Sequence, residues 1–251
     1  MKAKGVLTLL LALSVALAVV LLARPDPGQG AGRGNASVPQ DEIEMGMFVN
    51  APFSSPPWYP DECDENDDSY RWAPKCYWAV PSITVKVNPT ASDFDSEHLD
   101  AVVTQVANGF DAWSEVPYQL YGAAVTRDDE VGPSLDYPDE ANTVSWGEID
   151  GEGGIIAVTY FWYYVNTKEL IDCDILFDED EPWSISDEVP DNAFDVWNIA
   201  THEAGHTLVL GDLRSPKTGA LTMHAYTWPG DDVKRDLGLG DELGIWEIYG
   251  E

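Results

Sequence analysis

Two periods of apolar residues alternate along this chain, and each change of period marks a predicted element. Ser82 to Asn88 (Ser-Ile-Thr-Val-Lys-Val-Asn) alternates polar with apolar and is stopped by Pro89, which predicts a strand. A helix follows, with Asp95 or Ser96 as its cap and Leu99, Val102, Val103, Val106, Phe110 and Trp113 recurring at helical spacing. Tyr118–Val125, Thr143–Ile149, Ile155–Val165 and Leu170–Phe177 read as four more strands. Asp128–Ala141 and Asp150–Gly154 separate them as acidic or glycine-rich loops, and Asp178–Glu181 closes the last. After Pro190, the residues Phe194, Val196, Trp197, Ile199 and Ala200 lead into a second helix. Strand, helix, four strands and helix make an α+β domain beginning near residue 76 and running to 251.

The first third of the chain reads differently. Residues 24–75 are rich in Pro, Gly and Asp and bury little, as in a linker, a stalk or a prosegment. Asn35-Ala36-Ser37 is a glycosylation sequon within it. Before it, Lys2 and Lys4 precede an uncharged apolar run from Gly5 to Ala23, with small residues at Ala16 and Ala18. That is the layout of a signal peptide over 1–23. The run is also long enough to anchor the chain in a bilayer through residues 5–23. Either way the remainder lies outside the cytoplasm, secreted or held at the outer face of the membrane.

Composition narrows the partners. Asp and Glu number 45 against 13 Lys and Arg, a formal net charge of -32. Such a field repels nucleic acid and anionic lipid, so no nucleic acid is expected, and a membrane only through the N-terminal run. A monomer is the expectation. An oxidising compartment would allow three cysteines one disulfide. Cys63 and Cys76 lie in one Pro/Asp-rich loop and are the expected pair, with Cys76–Cys173 open as an alternative.

Two of the four histidines stand in His202-Glu203-Ala204-Gly205-His206. On a helix, positions i and i+4 share a face, so both imidazoles can reach one Zn²⁺ with Glu203 pointing toward the attacking water. Two histidines leave a zinc site incomplete, and Gly211-Asp212 follows directly. The stretch His202 to Asp212 resembles the extended zinc motif of the metzincin metalloproteases, nearest their matrixin-like branch. Aspartate stands where most members carry histidine, as in snapalysin. Leu221-Thr222-Met223-His224 is similar to the Met-turn beneath the zinc, with Met223 a packing residue. Leu239 to Gly250 is similar to the terminal helix of matrixin-like domains.

This resemblance implies a twisted, mixed five-stranded sheet with an active-site helix, a Met-turn and a C-terminal helix. It implies a zinc metalloendopeptidase holding one catalytic zinc through His202, His206 and Asp212, with Glu203 as general base to a metal-activated water. It implies that Ile156–Trp162 borders the cleft as a sheet edge, with Tyr160, Tyr226 and Trp228 lining the substrate pocket. Structural Ca²⁺ is a further implication, since Asp128, Asp129, Glu130, Asp136, Asp139 and Glu140 share a loop. An acidic run is equally a solvated face.

Three departures stand out. Glycine is usual where Val209 stands, and the glycine here, Gly211, comes two residues later. The Cys-containing latency motif is absent. Tyr226 lies three residues after Met223, not two. Two other readings therefore stay open: a non-catalytic, metal-bound binding module on the same fold, and a zinc hydrolase whose third ligand is Asp232 or Glu242.

Overall fold

The computed structural model describes residues 20–21, 42–52, 64–72, 74–79, 82–114 and 122–250. The Met1–Val19 segment, the Asn35 sequon, Cys63 and Tyr118–Tyr121 fall outside them. Among the described residues no helix is long and apolar enough to cross a membrane.

The strands, in chain order, are β1 (Val20–Leu21), β2 (Ile43–Asn50), β3 (Ser82–Asn88), β4 (Gly122–Arg127), β5 (Thr143–Gly147), β6 (Ala157–Tyr164), β7 (Leu170–Asp178), β8 (Trp183–Ser184) and β9 (Phe194–Asp195). The helices are α1 (Leu99–Ser114), α2 (Val196–Thr207) and α3 (Leu239–Tyr249). One sheet has the order β1-β2-β6-β7-β5-β3-β4, and β8 and β9 form a small parallel pair. The five expected strands, β3 to β7, are all present. Four of them run parallel (β4, β3, β5 and β7), whereas β6 is antiparallel to β7.

The difference lies at the edge. Ile43–Asn50, inside the segment expected to stay out of the core, is a full strand paired antiparallel to β6 from Ile43↔Tyr164 to Asn50↔Ala157. Its side chains alternate by face: Gly46, Phe48 and Asn50 are buried, whereas Met47 and Val49 are only half-buried. A Cβ on Gly46 would come within 2.2 Å of the Phe161 ring, so only glycine lets β2 lie this close. Sequence alternation is blurred there because Met47, Phe48 and Val49 are all apolar.

Helices α1 and α2 pack together to cover the core. Val102, Val106, Phe110 and Trp113 of α1 are buried against Val196, Ile199, Ala200 and Ala204 of α2 within one cluster. The Trp113 indole N–H donates to the Thr201 carbonyl at 2.7 Å, which fixes the two helices in register. Helix α2 starts at a β-region N-cap, Asp195, whose carboxylate accepts from the Asn198 N–H at 2.9 Å. Such a cap contributes about 1 kcal/mol. Nearly all of α2 is buried, so its polar residues face protein rather than water.

Cys76 and Cys173 are buried free thiols. The expected Cys63–Cys76 pairing thus has one member in the core as a thiol, and burial pushes Cys76 up to about 12. Its partner lies outside the described residues.

Candidate metal centre

The last turns of α2 carry His202 and His206 on one face, both without solvent exposure. Their rings are 4.6 Å apart and nearly perpendicular. Each is aimed by a backbone carbonyl: His202 Nδ1 donates to Thr222 O and His206 Nδ1 to Leu210 O, both at 2.7 Å. With the proton held at Nδ1, each Nε2 lone pair is free for a metal. Both Nε2 atoms are buried and have no hydrogen-bond partner.

The helix stops in a Schellman motif. Val209 N–H donates to His206 O at 2.8 Å and Leu210 N–H to Gly205 O at 3.2 Å. Val209 sits at the position where glycine is usual, with φ of 58°. Gly211 is therefore not the turning residue; Val209 takes the left-handed conformation itself. The next residue but two, Asp212, arrives with Oδ1 3.5 Å from both His202 Nε2 and His206 Nε2.

Two donors each about 2.0–2.1 Å from one ion at the tetrahedral angle lie roughly 3.4 Å apart. The two Asp212 edges of the His-His-Asp triangle match that spacing, and the donor set suits zinc. Of the described residues with ligand atoms, His202, His206 and Asp212 form the group at α2; Asp232 and Glu242 are not part of it. Burial pushes His202 down to about 3, the Lys234 cation adding to it, so this ring is neutral. Burial would raise Asp212, but contact with both imidazoles holds it far below the usual carboxylate range.

Beneath the histidines lies the Met223 turn. A Cβ on Gly205 would meet Met223 Sδ at 2.3 Å and Trp113 at 2.5 Å, so glycine at this helix position lets the turn press against α2. Asp241 of α3 holds the turn: its carboxylate accepts from Thr222 N at 2.8 Å, Met223 N at 3.1 Å and Gly238 N at 2.9 Å. The Lys234 ammonium, 1% exposed, donates to His224 O at 2.6 Å and lies 3.3 Å from His202 Nδ1.

Glu203, one position past His202, is fully buried. Thr159 Oγ1 donates to its Oε2 at 2.5 Å and Asn50 Nδ2 to its Oε1 at 3.2 Å. Burial raises its pKa against the pull of His206, Thr159 and Asn50. Thr159 is thus the residue by which β6 reaches this site. Strand alternation turns its neighbour Tyr160 to the opposite face of the sheet, where it pairs across from Met47 of β2. Tyr226 packs edge-on against His224 at 5.5 Å, and both it and Trp228 are half-buried just past the turn.

Four contributors escape sequence reading: Asn50, Thr159, Lys234 and Asp241. Only Asp241 had a signal, as one of two acidic residues in the first turn of the terminal helix.

The sequence profile described as Matrixin matches residues 72–250. The chain belongs to the matrixin family. Among curated relatives, mouse matrix metalloproteinase-25 is 32% identical over 40% of this chain and 15% of its own length. Human stromelysin-3 is 31% identical over 41% of the chain and 18% of its length. Human matrix metalloproteinase-26 is 24% identical over 70% of the chain and 61% of its length. This matrixin therefore spans less than two thirds of each of these relatives. The family is zinc-dependent, and the His-His-Asp group fits the metal on geometry as well.

Proposed function

We propose that this matrixin is an exported zinc-dependent endopeptidase in which Glu203 is the general base. The carrying observation is the buried carboxylate one residue after the first histidine, fixed by Thr159 beside a donor triangle of zinc dimensions. Zinc held by His202, His206 and Asp212 would lower the pKa of water to about 7 and polarise the scissile carbonyl. Glu203 takes the proton of the attacking water and delivers it to the leaving amine. Thr159 orients the carboxylate, and its burial, which raises its pKa, favours proton uptake. β2 covers β6 along its length, which corrects the expected sheet edge at Ile156–Trp162; a polypeptide would meet Tyr226 and Trp228 at the pocket beyond the turn.

Residues 1–23 support export, whether by cleavage or as an anchor, and the acidic loops are the place for structural Ca²⁺. Glu203→Gln is expected to keep stoichiometric zinc and lose casein hydrolysis by at least about 100-fold, the low end of a general base's contribution. Zinc analysis and hydrolysis with and without a chelator read it, and retained hydrolysis by the variant defeats the assignment.

A further inference from the structure

Lys234 puts a cation where a metal-binding histidine ordinarily meets an acceptor. Such a ring usually gives its second N–H to a carbonyl, a carboxylate or water, which raises its basicity as a ligand. His206 follows that rule through Leu210 O, whereas His202 has Thr222 O on Nδ1 and the Lys234 ammonium 3.3 Å from the same atom. Nδ1 already gives its proton to Thr222 O, so the ammonium finds no lone pair there. The contact sets charge against the ring. The chain holds the ammonium in place from the 3₁₀ turn Val233–Arg235. Lys234 N donates to Asn198 Oδ1 and its Nζ to His224 O, both at 2.6 Å. Beside it, Arg235 donates to the α2 cap Asp195 at 2.7 Å and lies over Trp197, 5.0 Å from the ring centre. The turn is thus tied to the first turn of α2 by both residues. Among the described residues no carboxylate oxygen lies within 4.0 Å of the ammonium. Asp231, Asp212, Glu203 and Asp241 attract it from farther off.

We infer that Lys234 is a positioning residue that keeps zinc exchangeable: acting through His202, its charge favours the metal-free protein and opposes the bound ion. The inference rests on the His-His-Asp group being the zinc site and adds how tightly that site holds its metal. In the metal-free protein the ammonium balances part of the charge of Asp212 and Glu203. Once zinc binds, two cations share the same acidic groups, and the His202 lone pair is drawn back toward the lysine. Both effects lower affinity, and both weigh more in a buried site than they would in water. The same withdrawal would leave the ion a stronger Lewis acid. A lysine that served only to brace the Met223 turn predicts the reverse. Loosening the turn that aims His202 through Thr222 O would weaken zinc binding, not strengthen it.

The test uses the full chain and three variants. Lys234→Met keeps the length and drops the charge, Lys234→Gln drops the charge and keeps a donor, and Lys234→Arg keeps the charge. Zinc affinity is read at neutral pH by competition with a chromophoric chelator, and urea unfolding is followed with and without saturating zinc. The two neutral variants are expected to bind zinc about tenfold more tightly than the parent or better, the scale on which outer partners act, with Lys234→Arg close to the parent. Zinc should accordingly raise the urea midpoint of the neutral variants by more than it raises that of the parent. If Lys234→Met folds only with zinc present, Lys234→Gln carries the affinity comparison. Equal or weaker zinc binding by folded neutral variants overturns the inference and leaves Lys234 as a brace for the turn. Absence of zinc binding by every form overturns it together with the zinc reading of the triangle. Tighter zinc binding with no casein hydrolysis by any form removes the peptidase reading while the inference stands.

Discussion

The Val209 turn gives the sharpest quantitative expectation. A left-handed conformation costs an L-residue about 1–2 kcal/mol, and a β-branched residue there is a genuine outlier. Val209 is held at φ 58° with no solvent exposure, so it combines backbone strain with a well-packed side chain. Val209→Ala removes two buried methyl groups, about 1.6 kcal/mol before any cavity term, and keeps most of the strain. Val209→Gly removes one more carbon, about 0.8 kcal/mol, and adds about 0.5–1 kcal/mol of unfolded-chain freedom. At an ordinary right-handed position the glycine variant would therefore be about 1.5 kcal/mol less stable than the alanine variant. Relief of the left-handed strain cancels that difference here. The two variants should unfold in urea within about 0.5 kcal/mol of each other, measured at fixed free zinc because metal binding adds to stability. Zinc affinity should survive in the glycine variant, since the turn still brings the Leu210 carbonyl to His206. A glycine variant less stable than the alanine variant by about 1.5 kcal/mol, the ordinary-site difference, refutes the strain argument.

Removing Asp212 opens the triangle, so Asp212→Ala should weaken zinc binding more than the 10–100-fold typical of outer partners, read by competition with a chromophoric chelator. Unchanged affinity would hand the third position to another ligand. Asp241→Asn replaces a carboxylate that accepts three backbone N–H groups and leaves one of them facing an amide N–H. A stability loss of about 1–3 kcal/mol is expected by denaturant unfolding. Two buried carboxylates on β7 make stability depend on pH between about 4 and about 7. Burial raises Asp172 to about 6 and Asp174 to about 7. A raised carboxyl pKa means the native state holds protons that the unfolded chain has released, so stability falls as pH rises from about 4 through about 7. Asp174→Asn should flatten that slope in urea midpoints taken across the range, and an unchanged slope would assign the protons elsewhere.

How far the sequence is legible depends on how local each feature is. Helix α2 and its two histidines are set by spacing within one helix, and Asp212 follows in the same eleven residues. β3 is bounded at both ends as expected because alternation starts at Ser82 and Pro89 removes the next donor. The neighbouring strand, expected over Tyr118–Val125, is β4 from Gly122 to Arg127, since its polar end pairs on with β3. The turn at Val209 contradicts residue preference, and burial of the valine in the core overrides it. Asn50 and Glu203 are 153 residues apart and Thr159 and Glu203 are 44 apart, so only the sheet topology brings them together. No spacing rule could have found them.

The buried lysine explains how so acidic a chain tolerates this site. Lys234 is pulled down to about 8 by burial, against the attraction of Asp231, Asp212, Glu203 and Asp241. Four carboxylates therefore converge on one ammonium in a region of low exposure. Burying any one of them unpaired would cost several kcal/mol. Asp241 meets the cost with three backbone N–H groups, and Asp231 with Thr227 and Val233. Glu203 does so with Thr159 and Asn50. Asp212 has no backbone donors among these bonds; its compensation is the pair of imidazoles and an exposed Arg214 at 3.7 Å. Yet His202 is held neutral by its burial, with the same lysine adding to it. A divalent cation at the His-His-Asp triangle would resolve the conflict, since it would meet the Asp212 charge with both rings neutral. The lysine and such a metal would then divide the acidic groups between them, and Asp212 would be the residue with most to lose on metal removal.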